Sequence, residues 1–309
     1  MSVARVLREA LTFQYAELTV RFFSADTVTQ LAADGSRIAF LCPEGSEADL
    51  EISCEIADLT TVEAPPAPGD NHTWVAVEHA DGGQTLFFYG QVRGATREVY
   101  LSVAVDADFR TARALFRADY EYPDIIRIGH PIEEHLVTQL LIRRGCCVVH
   151  ACTIVFDDLA YVFAGHSGAG KSTIAELGET AGGRVLSDDR TILGVRNDVA
   201  YAWGTPWHGS FRRGEPQRCR VATIFLLMQD SVDRVRPLST AEAFGELFVR
   251  LVVPSRENGV SLQATDTLEA LSDACPVAAL HFTPTAASIA AARGFVAARG
   301  EAASLHIVI

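Results

Sequence analysis

The run Gly165-His166-Ser167-Gly168-Ala169-Gly170-Lys171-Ser172-Thr173 constrains this chain more than any other feature. It fits G-x-x-x-x-G-K-[ST]. The apolar segment Tyr161–Ala164 precedes it, and Ile174-Ala175-Glu176-Leu177 continues it as the start of a helix. Strand, glycine loop and helix form the context in which this pattern cradles phosphate. Gly165, Gly168 and Gly170 let the backbone turn tightly and aim N–H groups inward as an anion nest. The helix N-terminus adds positive potential. Lys171 can reach the terminal phosphates, and the Ser172 hydroxyl can ligate Mg²⁺. Ser167, Ala169 and Thr173 complete the candidate nucleotide loop. A chance match in a glycine-rich turn would lack the flanking strand and helix. The pattern specifies phosphate binding and leaves kinase, ATPase, GTPase and sensor open.

The rest of the chain sorts into two regions. At ~100–200 residues per domain, 309 residues suggest two domains. Residues 1 to about 120 read as a β-rich domain. Leu18–Phe23, Arg37–Leu41, Leu50–Ile56, Thr73–Glu78, Thr85–Tyr89 and Glu98–Val105 are short apolar runs, with the proline-rich Ala64–Asn71 as a loop. Asp108–Ala118 is expected to be helical, and Tyr122–Pro131 irregular. From residue 121 to 309 strands and helices mix, which implies an α/β domain. Helices are expected over Ile132–Arg144, from a Thr240 cap over Ala241–Val252, over Thr267–Ala274, and from Thr283-Pro284 towards Arg299. Strands are expected at Cys146–Phe156, Arg184–Ser187, Ile192–Val195, Val199–Trp203, Val221–Met228, Val277–Phe282 and Leu305–Ile309.

Charge excludes some functions. The net charge is −13. Generic nucleic-acid binding needs a basic surface to displace counterions, and docking on an anionic membrane needs the same. The N-terminus has no long uncharged apolar core, so no signal peptide is expected. No stretch reaches the ~20 apolar residues that span a bilayer. Seven cysteines without framework or metal-ligand spacing read as buried free thiols in a reducing compartment. The expected location is the cytoplasm, with no nucleic-acid or membrane partner.

Three features bear on the reaction. Asp188-Asp189 follows the strand Arg184–Ser187, one helix and one strand after Lys171. Carboxylates at a strand end near a phosphate loop can hold Mg²⁺ or take a proton from a substrate hydroxyl, and two adjacent acids can divide those roles. A solvated turn is the plain alternative. His150 lies on an apolar strand, where a histidine is more often a satisfied core residue than a catalytic one. Trp203-Gly204-Thr205-Pro206-Trp207-His208-Gly209 leads into Arg212, Arg213, Arg218 and Arg220. In so acidic a chain these arginines, with His208, are candidates to clamp a phosphate or carboxylate. An exposed loop with solvated charges explains them equally well.

The segment HACTIVFDDLAYVFAGHSGAGKST…GRVLSDD resembles the catalytic domain of the HPr kinase/phosphorylase family. The likeness covers about residues 132–230, at its widest to 283, and rests on three motifs in order. It implies a P-loop of the kind shared with phosphoenolpyruvate carboxykinase, and transfer of the ATP γ-phosphate to a serine hydroxyl with Mg²⁺. It further implies that Asp188 is the general base, that His150 sits beside the phosphates, and that Asp189 assists with metal or orientation. A homo-oligomer is compatible with it. Two departures stand out. The family carries a glutamate after the Asp pair, whereas here the segment Ala202–Ser210 has no acid and the first glutamate is Glu215. The first half of the chain also does not match the N-terminal domain of the bacterial regulator kinases. The pattern is closer to relatives found beside ribosomal-peptide genes, including those that phosphorylate the C-terminal serine of lasso-peptide precursors.

A serine kinase of a peptide or small protein is therefore the leading expectation. A kinase of a free small molecule, and a nucleotide-binding ATPase or sensor, are the alternatives. All three require the loop lysine. Lys171→Ala is expected to abolish phosphoryl transfer and weaken nucleotide binding, because its ammonium is the main side-chain charge on the terminal phosphates. Titration with a fluorescent ATP analogue checks this, and unchanged affinity and turnover would remove the nucleotide reading.

Overall fold

The computed structural model describes residues 6–26, 28–69, 73–92, 96–119, 125–253 and 258–305. The chain forms two compact units, Met1–Val137 and Thr138–Ile309.

The first unit is built on β-strands. They are β1 (Val6–Arg8), β2 (Ala10–Tyr15), β3 (Leu18–Ser24), β4 (Gln30–Ala33), β5 (Leu50–Ala57), β6 (Trp74–Glu78), β7 (Gln84–Val92), β8 (Thr96–Val105), β9 (Thr111–Arg117) and β10 (Ile125–Arg127). One helical turn, α1 (Gly35–Ile38), follows β4. Seven strands pair in the order β2-β3-β5-β9-β8-β7-β6, and three more in the order β1-β4-β10. Alternation explains the larger sheet. Leu11, Phe13 and Tyr15 on β2, and Val20 and Phe22 on β3, all face the core.

Three expectations for this unit were wrong. The segment Tyr122–Pro131, expected to be irregular, holds β10, which pairs with β4. Arg37–Leu41 is not a strand, because the Asp34 carboxylate caps the N–H groups of Ser36 and Arg37 and starts α1. Asp108–Ala118 is not a helix. The Asp106 carboxylate accepts the N–H groups of Arg110 and Thr111, which closes a turn. Ala112, Ala114 and Phe116 then alternate into the core along β9.

A buried ionic network ties this unit together. Glu133 is fully buried at the start of α2 (Ile132–Arg143). One of its oxygens accepts Arg37 Nε at 2.9 Å and Nη2 at 2.7 Å, and the other accepts the Tyr15 hydroxyl. Arg37 also pairs with Asp34 at 2.9 Å. Burial drives the Tyr15 pKa well above its ordinary value, with the Glu133 charge adding to it. Two residues on, the His135 ring meets Trp74 and Phe88 edge-on at 4.9 and 5.0 Å. Burial pushes its pKa down to about 4, so it is a neutral core histidine.

The second unit continues with β11 (Cys146–Phe156), β12 (Leu159–Ala164), α3 (Lys171–Thr180), β13 (Arg184–Ser187), β14 (Arg190–Arg196), β15 (Val199–Trp203), β16 (Arg218–Gln229), β17 (Arg234–Pro237), α4 (Thr240–Phe248), α5 (Asn258–Ala274), β18 (Val277–Phe282) and α6 (Ala286–Leu305). Its sheet runs β12-β11-β14-β15-β16-β18-β17, with β13 on β11. β16 also pairs with β12, so β12, β11, β14, β15 and β16 close a ring. β11 is buried on both faces, which is why it reads as an unbroken apolar run. Cys147, Val149 and Ala151 face the layer completed by α4 and α5, and Cys152, Ile154 and Phe156 the layer under α3 and α6. Tight turns at Asp157-Asp158 and Asn197-Asp198 take positive φ at both residues, the backbone that suits two-residue hairpins.

Helix boundaries depart from expectation at four places. α5 begins at Asn258, nine residues before the expected Thr267. Ser239, not Thr240, caps α4, through a reciprocal capping box with Glu242, and the helix stops at Phe248. Thr283 bonds Asp233 instead of capping, so α6 begins at Ala286. Leu305 ends α6, and the remainder of the expected last strand lies outside the described residues, as do 122–124 and 70–71.

All seven cysteines are free thiols, six buried and Cys42 half-buried. Among the described residues no helix is long and apolar enough to cross a membrane. Glu133→Ala is expected to destabilise the protein by about 3–5 kcal/mol, because it strands the Arg37 charge and the Tyr15 hydroxyl in the core. Urea unfolding of the variant against wild type measures this.

Candidate active site

β12, β16 and β18 run parallel, with Ala164 opposite Leu226 and Leu226 opposite Ala279. Their carboxyl ends form a common edge, the place where α/β sheets bind ligands. The glycine loop leaves β12 at this edge. The first loop N–H, of Gly165, donates to the His150 carbonyl at 3.0 Å, and Ala169 N–H closes a turn on His166 O at 3.1 Å. Gly170 precedes α3 at φ 102°. A Cβ there would also lie 2.6 Å from Phe282 Cζ at the end of β18, so no other residue fits. The Gln229 amide, at the end of β16, donates to Gly168 O at 3.0 Å. His166, Ser167 and Gly168 are exposed at the loop tip.

Lys171 lies folded along this loop. Its Nζ donates to Gly165 O at 3.0 Å and His166 O at 3.2 Å, and pairs with Asp189 Oδ1 at 3.4 Å. The other Asp189 oxygen holds Arg190 at 3.0 Å. The acid pair sits at the kink between β13 and β14, where β11 changes partner from Ser187 to Arg190. His150 is half-buried opposite Arg190, and the N–H of the next residue, Ala151, donates to Asp189 O at 3.0 Å.

Asp188 points the other way and is only 1% exposed. Its Oδ1 accepts the Gly209 N–H at 3.0 Å, and its Oδ2 accepts the Arg212 N–H at 2.8 Å. Burial raises its pKa above the usual carboxylate value. The two N–H groups and the nearby His208 oppose that shift, and the charge of Asp189 adds to it. The carboxylate therefore latches the loop 204–217 onto the site. Other contacts seat the same loop. Thr205 Oγ1 donates to Arg190 O at 2.6 Å, Glu215 N–H donates to Leu186 O at 3.0 Å, and Arg213 pairs with Glu179 of α3 at 3.3 Å. Gly204 passes so close that a Cβ would fall 2.1 Å from Glu215 O and 2.4 Å from Leu186 O. Ser210 brings its hydroxyl to 2.8 Å from the Ser172 hydroxyl.

The four arginines do not form one patch. Arg212 and Arg213 are exposed on the latched loop. Arg218 and Arg220 are on β16, where Arg220 lies opposite Leu159 at the far end of β12. Six residues of strand, about 20 Å, separate that level from Gly165. Arg218 instead covers the Tyr201 ring, 4.7 Å from its centroid. A clamp on phosphate from this second pair is excluded by strand direction. Glu215, the first glutamate after the Asp pair, is tied to Arg184. Sequence reasoning missed Ser210 and Gln229. The only sign of Ser210 was its place next to the glycine of the Trp203–Gly209 run.

Among the described residues no three His, Cys, Asp or Glu side chains converge as a metal site. A nucleotide-borne Mg²⁺ does not need one, since phosphate oxygens and water fill most of its shell. The half-buried Ser172 at the start of α3 fits the remaining protein position.

No protein-family model and no curated protein matches the chain. Among solved structures, the Hpr(Ser) kinase/phosphatase from Coxiella burnetii is similar at 13% identity and a TM-score of 0.30. The match covers 52% of this chain and 98% of that one.

Asp188→Asn replaces one acceptor oxygen with an amide that cannot receive either N–H. A hydrogen bond to a charged group is worth about 1.5–3 kcal/mol. Amide exchange over residues 209–212 is therefore expected to speed up by roughly 10–100-fold, measured by hydrogen–deuterium exchange, with β11 and β12 unaffected.

Proposed function

We propose that this protein is an ATP- and Mg²⁺-dependent kinase that transfers the γ-phosphate to a serine hydroxyl of a peptide or small protein. The observation that carries the reading is the ion pair of Lys171 with Asp189, next to the desolvated Asp188. It puts a phosphate-binding ammonium and two carboxylates of different environment at one point.

ATP would supply the activated phosphoryl group, and Mg²⁺, held through Ser172, would offset the negative charge of its phosphates. The loop from Gly165 to Thr173 binds the phosphates through backbone N–H groups and the N-terminus of α3. Lys171 exchanges its loop carbonyls for phosphate oxygens. Asp189, released from Lys171, holds metal-bound water or orients the acceptor. Asp188 takes the serine proton as the hydroxyl oxygen bonds to the γ-phosphorus and the bond from that phosphorus to the ADP oxygen breaks, releasing ADP. His150 positions the phosphates from the neighbouring strand, and Arg212 and Arg213 lie on the side where an acceptor's acidic groups would approach. The finer reading, a C-terminal serine of a lasso-peptide precursor, rests on the motif resemblance alone. A homo-oligomer and a cytoplasmic setting belong to the same proposal, as does a recognition role for the β-rich region of residues 1–120.

Asp188→Asn is expected to lower single-turnover transfer from ATP to a serine peptide by ~10²–10⁴-fold at saturating ATP and Mg²⁺, with metal-free nucleotide affinity retained. The wild-type rate should fall as pH drops, because a carboxyl with a raised pKa keeps its proton to higher pH. The acid limb should lie above the ordinary Asp value of about 3.9. Wild-type transfer by the variant would remove Asp188 as the base. ATP hydrolysis indifferent to every peptide tested would favour an ATPase or sensor.

A further inference from the structure

Ser210 is exposed, and no packing of its side chain fixes its position. The backbone fixes it instead. Asp188 holds the N–H groups of Gly209 and Arg212, which bracket Ser210 and Phe211. Arg212 adopts φ 58°, a left-handed turn that a non-glycine residue takes only when its surroundings impose it. The Arg213–Glu179 pair ties the next residue to α3. This clamp carries the Ser210 hydroxyl to 2.8 Å from that of Ser172.

The spacing has a chemical meaning. Mg²⁺ demands near-octahedral geometry with oxygens at ~2.1 Å, so neighbouring ligands sit about 3.0 Å apart. Two hydroxyls 2.8 Å apart, one of them on the first turn of the phosphate-loop helix, match one edge of that octahedron. Both oxygens keep lone pairs available to a cation.

We propose that Ser210 is a second protein ligand of the nucleotide-borne Mg²⁺, delivered by the loop 204–217. Asp188 is then a positioning residue for the metal as well as the candidate base, and closing the loop completes the metal shell. This rests on the nucleotide reading above.

The test is calorimetric titration of the full chain with ADP, with and without Mg²⁺. In wild type, Mg²⁺ should strengthen ADP binding. Ser210→Ala should bind metal-free ADP as wild type does and lose about 10-fold of the Mg²⁺-dependent increase, the scale of a lost metal partner. Ser210→Cys should lose it similarly with Mg²⁺ and recover it with Cd²⁺, because a thiolate prefers a soft cation. Cd²⁺ should not rescue Ser210→Ala. Thermal melting should be unchanged in both variants, since the side chain is exposed. A full Mg²⁺ effect in Ser210→Ala overturns the proposal. Loss in Ser210→Ala without Cd²⁺ rescue of Ser210→Cys overturns ligation and leaves the hydroxyl as a latch within the loop. Failure of wild type to bind ADP under any condition would instead sink the nucleotide reading itself.

Discussion

The site depends on one buried carboxylate. Asp188 is nearly inaccessible, and an ionised carboxylate in that position is costly unless its oxygens are satisfied. The N–H groups of Gly209 and Arg212 satisfy them, and in doing so they fasten a long loop beside the glycine loop. The same residue is therefore pulled two ways. Burial favours its proton, and the N–H groups favour its charge. A group balanced in this way suits proton transfer, because neither state is held tightly. Its neighbour Asp189 has the opposite surroundings, with Lys171 and Arg190 on its two oxygens. Adjacent acids with such different partners are not interchangeable.

Strand direction supplies the frame for this arrangement. Three parallel strands end together, and each contributes to the loop: β12 leads into it, Gln229 at the end of β16 holds Gly168, and Phe282 at the end of β18 forbids a side chain at Gly170. Closing the ring through β16 and β12 brings the kink between β13 and β14 to the same edge. It also sends Arg218 and Arg220 to the opposite end. Four arginines within nine residues thus separate into two pairs with different surroundings. Spacing along a chain says little about neighbours once a loop and a strand divide it.

The first unit shows the same limit in another form. Its sheet was largely legible, because alternating residues such as Leu18, Val20 and Phe22 face one core. Two errors came where a polar side chain overrode a local pattern. Asp34 turned an apolar run into a helical turn, and Asp106 turned an expected helix into a strand. The buried network of Tyr15, Arg37 and Glu133 left no trace in any window, since more than a hundred residues separate Tyr15 from Glu133.

What the sequence determined by itself was local. The glycine loop between a strand and a helix, the double-faced apolar strand β11, and the Asp-Asp and Asn-Asp turns all follow from residues within a few positions of each other. Periodicity and allowed backbone angles act over that range. The roles of the site residues were decided only in three dimensions. Asp188 could be read as a base, but its work as the latch for Gly209 and Arg212 required a loop more than twenty residues away. Ser210 met Ser172 for the same reason. Hydrogen bonds and ion pairs select partners by distance and direction in space, and only the packed sheet sets those.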